Sequence, residues 1–82
     1  MSVEIIWDDD AINFLRKLGK IISSRIVKKI KSIKLNPQRY IFSLVNIGYS
    51  KIRVGDYRIF VEFENNVLTV RTIKHRKNAY KK

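Results

Sequence analysis

The spacing of the apolar residues changes once along the chain, close to Asn36 and Pro37. Before this point they recur every three or four positions, which is typical of amphipathic helices. Beyond it they alternate with polar residues, which is typical of strands with one buried face. Proline disfavours helical geometry in the residue before it and has no backbone N–H to donate. We therefore expect helices before this point and antiparallel strands after it.

The part before Asn36 is predicted to hold one strand and two helices. Residues 3–7 are mostly apolar or β-branched and indicate a strand. The acidic residues 8–10 suit the N-cap and first turn of a helix of about two turns, which we expect to end at Gly19 as its C-cap. A second helix follows, with an apolar stripe formed by Ile22, Ile26, Ile30 and Ile33. The rest of its surface is basic and carries Arg25, Lys28, Lys29, Lys31 and Lys34.

Two turn signals divide the second part into three strands, at about residues 50–54, 57–63 and 67–74. The Gly-Asp pair at 55–56 suits a two-residue type II′ turn, because glycine comes first. The Asn-Asn pair at 65–66 suits a type I′ turn, which needs two residues in the left-handed region. Turns this short join neighbouring antiparallel strands, so we expect a meander.

The expected fold is therefore α+β: an N-terminal strand, a two-helix hairpin, and an antiparallel β-meander packed on the helices. The 82 residues are enough for one small core, and we expect a single domain over 1–82. Residues 37–41 are expected to form a loop. The segment 42–47 is predicted to be either a further strand or an extended connection.

Composition excludes several classes of protein. No apolar run approaches the roughly 20 residues that cross a bilayer, and the N-terminus lacks the order of a signal peptide, so we expect a soluble cytoplasmic protein without a membrane partner. The chain has no cysteine and one histidine. This excludes disulfides, a cysteine nucleophile, and thiolate or multi-histidine metal sites. We expect no cofactor.

The charge balance indicates the kind of partner. Eighteen Lys and Arg against seven Asp and Glu give a formal net charge of +11. Self-repulsion at this charge destabilises a small fold unless a polyanion or an acidic protein relieves it. Nucleic acid is the leading candidate and an acidic protein the second, and the two are compatible. A merely solvated charged surface is the alternative, although such surfaces usually carry glutamate in proportion to lysine.

The two turns also predict which strand residues face each other. Counting outwards from them places Arg53 opposite Arg58, Phe60 opposite Arg71, and Tyr57 opposite Lys74. Side chains alternate across a strand, so the apolar residues share one side, against the helices. The other side, which we call the outer face, is then expected to carry Lys51, Arg53, Arg58, Phe60, Glu62, Arg71 and His75.

A predicted Arg53–Arg58 pair indicates a phosphate site. Like charges directly opposite each other destabilise a hairpin unless an anion lies between them. Guanidinium groups suit phosphate because each presents two donors to two oxygens, and Phe60 offers a surface on which a base can stack. In the alternative interpretation, Glu62 neutralises Arg71 and the other arginines are solvated.

Residues 49–60, Tyr-Ser-Lys-Ile-Arg-Val-Gly-Asp-Tyr-Arg-Ile-Phe, closely resemble the signature of the RelE/ParE toxin superfamily. The ending at 73–80, Ile-Lys-His-Arg-Lys-Asn-Ala-Tyr, is similar to the family's terminal basic and tyrosine motif. Leu-Asn-Pro at 35–37 is similar to the usual close of its second helix. The order of the predicted elements agrees over essentially the whole chain, and the resemblance implies the RelE-like, microbial-ribonuclease-like fold.

The resemblance implies a toxin of a type II toxin–antitoxin system. RelE-type members enter the ribosomal A site and cut messenger RNA without a metal. The ribose 2′-oxygen attacks its own phosphate, giving a cyclic phosphate and a free 5′-hydroxyl. This reaction needs a base, cations that stabilise the phosphorane charge, and an acid for the leaving oxygen. The resemblance also implies an acidic, RelB-like antitoxin that forms a hetero-oligomer with the toxin through a helix, on either the basic second helix or the sheet.

The resemblance and the predicted outer face together give ten candidate site residues. Those that the resemblance implies to be catalytic are Lys51, Arg58, His75, Arg76 and Tyr80. Arg58 matches the phosphate-binding arginine, and His75 is the natural acid or base because histidine titrates near neutrality. Those expected to contact nucleic acid are Tyr49, Arg53, Phe60, Arg71 and Lys74. Lys74 is an alternative to Arg76 for the terminal basic role.

One departure from the pattern affects the expected chemistry. The well-known bacterial type has a second lysine where this chain has Tyr49, which leaves the general base unassigned. Two other functions therefore stay open. One is a ParE-type toxin that binds gyrase and cuts no RNA, and the other is a decayed toxin that only binds nucleic acid or antitoxin.

Overall fold

A computed structural model describes residues 3–35 and 49–79. The described elements follow the predicted order, and a short helix that was not predicted is added at the end. They are β1 (Glu4–Trp7), α1 (Asp9–Lys17), α2 (Lys20–Leu35), β2 (Tyr49–Val54), β3 (Tyr57–Glu64), β4 (Val67–His75) and α3 (Arg76–Ala79). The segment 42–47, predicted as a strand or an extended connection, the loop at 37–41 and Tyr80 lie outside the described residues.

The four described strands form one mixed sheet in the order β1-β4-β3-β2. The meander of β2, β3 and β4 is antiparallel, as predicted. β1 pairs with β4 in parallel, with Glu4 opposite Val67 and Trp7 opposite Val70. The α+β fold is confirmed, and the placement of β1 beside β4 is new.

The core lies between the sheet and the first two helices. Its largest members on α2 are Ile26, Ile30 and Ile33, which are fully buried and confirm the predicted stripe. Burying side chains of this size contributes about 1.5–3 kcal/mol each. The remaining buried apolar residues are Val3, Ala11, Ile59, Val61, Leu68, Val70 and Ile73.

The φ angles in both hairpin turns have the signs that the sequence predicted. Gly55 has a φ of 55° while Asp56 stays outside the positive region, as a type II′ turn requires. Asn65 and Asn66 have φ values of 52° and 62°, as a type I′ turn requires. The left-handed residues match the right-handed twist of the flanking strands.

The prediction for the end of α1 is wrong. The helix ends at Lys17, and the N–H of Leu18 donates to the carbonyls of Phe14 and Leu15. Gly19 is not in the left-handed region. Its carbonyl instead accepts the N–H of Ser23 at 3.0 Å, so Gly19 occupies the N-cap position directly before α2. The chain passes directly from one helix into the next and leaves no room for a glycine C-cap.

The predicted register between β3 and β4 is right at the turn and wrong beyond it. Phe63 faces Leu68 and Val61 faces Val70, but Phe60 faces Thr72 and not Arg71. Arg71 is the extra residue of a β-bulge, which shifts all later pairs by one position. The physical reason is burial of Ile73, which is 1% exposed and would lie on the outer face in a regular ladder.

Candidate nucleic-acid interface

Three cations lie side by side across the outer face of the sheet. Arg53 on β2 faces Arg58 on β3, which confirms the predicted pair. Arg58 in turn faces Lys74 on β4, because the bulge moves Lys74 from the helix side to the outer face. Adjacent strands are about 4.8 Å apart, so these three residues, which we call the cationic row, span roughly 10 Å at their backbones.

A second row runs beside the first. Lys51 faces Phe60, and Phe60 faces Thr72. Lys51 is exposed, while Phe60 and Thr72 are partly buried. Phe60 therefore lies on the outer face, two residues along β3 from Arg58 of the cationic row, as the sequence predicted.

Arg58 has a fixed side chain. It is 8% exposed, and its Nη1 donates to the carbonyl of Gly55 at 3.1 Å and to the carbonyl of Tyr57 at 3.2 Å. Backbone carbonyls orient the guanidinium, and a buried charge needs such hydrogen bonds. The position of this cation is thus set by the turn between β2 and β3.

Arg71 is bound by two carboxylates. Its Nε and Nη2 contact the two carboxylate oxygens of Glu62 at 3.1 and 3.2 Å, and its Nη1 contacts Oδ2 of Asp8 at 2.8 Å. Hydrogen bonds to Glu62 and then to Asp8 raise the pKa of Arg71 above the ordinary arginine value. The interpretation in which Glu62 neutralises Arg71 is therefore confirmed for this residue. Asp8 occupies the N-cap position of α1, but its carboxylate makes no cap hydrogen bond and serves Arg71 instead.

His75 is not on the outer face, contrary to the prediction. The bulge places it opposite Tyr57, on the side of the helices. Its ring contacts the ring of Tyr57 edge to face, with centroids 5.4 Å apart and planes at 88°. Its Nδ1 accepts the backbone N–H of Lys77 at 3.2 Å.

The remaining predicted residues lie near the same turn or outside the described side chains. The backbone N–H of Arg76 donates to the carbonyl of Asp56 at 2.6 Å. Its guanidinium lies 4.0 Å from the Asp56 carboxylate, and both side chains are mostly exposed. Tyr49 begins β2 opposite Glu62, but its side chain and Tyr80 lie outside the described part.

The carbonyls of Gly55 and Asp56 are the functional groups that sequence reasoning missed. They accept hydrogen bonds from Arg58 and Arg76 and so bring two predicted site residues to one corner of the sheet. The Gly-Asp pair indicated a turn, but backbone acceptors carry no residue-type signal.

A groove between α1 and α2 forms a second candidate surface. It has a volume of about 350 Å³ and an apolar lining from Ile12, Leu15, Leu18 and Val27, with Arg16, Lys20 and Ser23 completing it. A depression of about 290 Å³ shares Ser23 and Val27 with it and adds Ser24, Lys28 and Lys31. The lining combines apolar and cationic side chains and includes no acidic one.

Residues 3–35 and 49–79 contain no group of three or more His, Cys, Asp or Glu side chains placed to hold a metal ion. No helix in this part of the chain has the length and apolar character needed to cross a membrane.

Solved structures with the same fold include RelE toxins and their complexes with RelB antitoxins. The chain is 20% identical to a chain of the intact Escherichia coli RelBE toxin–antitoxin complex, with a TM-score of 0.71 over 90% of this chain and 96% of that one. It is 23% identical to a chain of the RelB–RelE antitoxin–toxin complex of Methanococcus jannaschii, with a TM-score of 0.69 over 92% and 94%. For the Pyrococcus horikoshii RelE–RelB complex the identity is 18% and the TM-score 0.65, over 96% and 100%.

At these identities the structural likeness supports the fold. Curated protein sequences yield no significant match. The family described as ParE toxin of type II toxin-antitoxin system, parDE, matches residues 5–80, which is nearly the whole chain. The chain therefore belongs to the ParE toxin family and, with its RelE-like fold, is a toxin of the RelE/ParE superfamily of type II toxin–antitoxin systems.

Proposed function

We propose that this toxin is a metal-independent endoribonuclease that cuts messenger RNA on the ribosome and so inhibits translation in the cytoplasm. The observation that supports it is the cationic row of Arg53, Arg58 and Lys74 across three adjacent strands. Like charges at directly opposed positions of neighbouring strands are unfavourable for a sheet, and a phosphate group bound beside them would offset that cost. The neighbouring Phe60 offers a base a stacking surface.

In the proposed reaction, the ribose 2′-oxygen attacks the adjacent phosphorus and the 5′-oxygen of the next nucleotide leaves. Negative charge grows on the phosphorane oxygens, and cations fixed before the reaction stabilise it most. Arg58 has that property, because two carbonyls hold its guanidinium. Arginine is a poor proton donor or acceptor, so we assign Arg58 and Arg53 to charge stabilisation. Lys51 beside the row supplies a further ammonium group.

The first test is cleavage of a defined message by the purified toxin in a translating ribosome system. We expect fragments ending in a cyclic phosphate and beginning with a free 5′-hydroxyl. Intact message in the presence of active toxin and translating ribosomes would contradict the nuclease proposal.

Arg58→Ala tests the site itself. We expect it to abolish growth arrest and to lower the cleavage rate by roughly 10²–10³-fold, the range seen when one preorganised charge-stabilising group is removed. Lys17→Ala is the matched control, because Lys17 is an exposed cation on α1 that belongs neither to the cationic row nor to the lining of the groove between α1 and α2. Circular dichroism checks that both variants are folded. Unchanged toxicity of a folded Arg58→Ala protein would refute the assignment of this site.

Gyrase binding is the second candidate function, and the ParE family match over residues 5–80 favours it. A gyrase-binding toxin would inhibit supercoiling and leave the message intact. Assaying purified gyrase and translating ribosomes with the same protein preparation separates the two functions. Loss of supercoiling together with intact message would replace our proposal, and inactivity in both assays would indicate a decayed toxin.

We further propose an acidic antitoxin as the partner. Relatives of the same fold were solved as complexes with RelB antitoxins. The groove between α1 and α2, with apolar and cationic lining, suits an amphipathic acidic helix. A neighbouring reading frame that encodes a short acidic protein is the simplest check, and co-purification of its product with the toxin tests the complex.

A further inference from the structure

The last described helix begins with a histidine where helices usually begin with Ser, Thr, Asp or Asn. β4 ends at His75 and α3 begins at Arg76, so His75 occupies the N-cap position. The N–H of Lys77, the second residue of α3, donates to Nδ1 of His75 at 3.2 Å. Nδ1 is bonded to Cγ, as is Oδ1 of asparagine. His75 can therefore cap this helix as an asparagine would.

The cap sets the tautomer of the ring. Nδ1 accepts a hydrogen bond only when it carries a lone pair, so the proton of the neutral imidazole lies on Nε2. In this tautomer Nε2 can donate a hydrogen bond but cannot accept a proton. Protonation of the ring would place a hydrogen on Nδ1 and remove the cap.

Further contacts hold the capped turn against the sheet. The rings of His75 and Tyr57 pack edge to face, and the N–H of Arg76 donates to the carbonyl of Asp56 at 2.6 Å. The charged and titratable groups near these contacts include Tyr57, Asp56, Arg76 and Lys77, together with Arg25 of α2, which lines a depression with Asp56 and Tyr57. The cap, the ring contact and the backbone hydrogen bond together hold the start of α3 against the turn between β2 and β3.

We propose that His75 is a positioning residue: through Nδ1 it caps α3 and keeps Arg76 against the turn between β2 and β3, and it transfers no proton to or from RNA. The cap does not depend on the reaction proposed above, whereas its effect on cleavage rests on that reaction.

Two variants of the full chain separate the cap from the ring. His75→Asn keeps the acceptor and loses the ring, while His75→Phe keeps the ring and loses the acceptor. At neutral pH we expect nitrogen NMR shifts of wild-type His75 typical of the Nε2–H tautomer. The amide of Lys77 should exchange roughly five-fold faster in His75→Phe than in wild type, the change that loss of an N-cap produces. In His75→Asn it should exchange at close to the wild-type rate.

An Nδ1–H tautomer at neutral pH, or equal Lys77 exchange in the two variants, would overturn the cap.

Cleavage assays on the same proteins test the functional part. We expect His75→Asn to restore cleavage that His75→Phe loses. If His75 transferred a proton, both variants would fall together by about 10²-fold or more, and the positioning role would be refuted while the proposed nuclease stood. Absence of cleavage by every protein, wild type included, would refute the nuclease, and the NMR measurements would still decide the cap.

Discussion

At the scale of single residues, the turn between β2 and β3 organises the candidate site through its backbone. The carbonyl of Gly55 accepts from the side chain of Arg58, and the carbonyl of Asp56 accepts from the N–H of Arg76. Both contacts depend on the type II′ geometry, which needs a left-handed residue first. Gly55 is therefore important for the placement of two cations as well as for the hairpin.

Gly55→Ala should destabilise the protein without any steric collision. A Cβ at this position would meet no atom within 4 Å, but the φ of 55° costs an alanine about 1–2 kcal/mol. For a domain of this size that corresponds to a melting temperature lower by roughly 4–16 °C. Gly19→Ala is the matched control, because Gly19 is equally open and not left-handed. Equal melting temperatures for the two variants would contradict the assigned turn.

At the scale of elements, the bulge in β4 decides what the outer face carries. It inserts Arg71, which pairs with Glu62 and with Asp8 at the start of α1. Every later residue of β4 then changes side relative to a regular ladder. Lys74 consequently joins the outer face and His75 leaves it.

Ile73→Ala tests this register. In the bulged strand Ile73 is fully buried, so we expect the free energy of unfolding to fall by about 2–5 kcal/mol. Ile6→Ala is the control on β1, where the side chain is 43% exposed and we expect a much smaller loss. Denaturant titrations measure both. A tolerated Ile73→Ala would indicate the regular ladder, with this side chain on the outer face.

At the scale of the whole molecule, two surfaces of the described chain carry clusters of cations that contribute to the net charge of +11. One is the outer face of the sheet with the cationic row. The other is α2, where Arg25, Lys28, Lys31 and Lys34 are exposed. Two negatively charged partners can therefore bind different sides of the protein. We propose RNA for the first surface and an acidic antitoxin for the second.

Self-repulsion predicts that salt stabilises the free toxin. Raising ionic strength from about 0.01 M to about 1 M shortens the Debye length from about 30 Å to about 3 Å and screens the repulsion. We expect the melting temperature to rise over this range, although the exposed ion pairs of Arg71 weaken. Binding of RNA should weaken over the same range, because phosphate contacts release counterions. A melting temperature that falls with salt would show that the ion pairs outweigh the net charge.

Local chemistry made much of the fold predictable. Turn types follow from Gly-Asp and Asn-Asn pairs because few residues tolerate a positive φ. Helix and strand follow from the apolar period, which is a property of neighbouring residues. The pairing of Arg53 with Arg58 follows from the turn type and the strand pattern together, since a two-residue turn leaves only one register for the strands that it joins.

The sequence by itself thus determined the first two helices, the strands, the turns, and the Arg53–Arg58 pair beside the turn between β2 and β3. Only the tertiary structure decided the bulge, the parallel place of β1, the carboxylate partners of Arg71 and the capping role of His75. Most of these features join residues that are far apart in the chain. The bulge forms because burial of Ile73 is worth more than a regular pairing of β3 with β4. A local sequence pattern cannot predict this result, because it depends on which side of the sheet the helices cover.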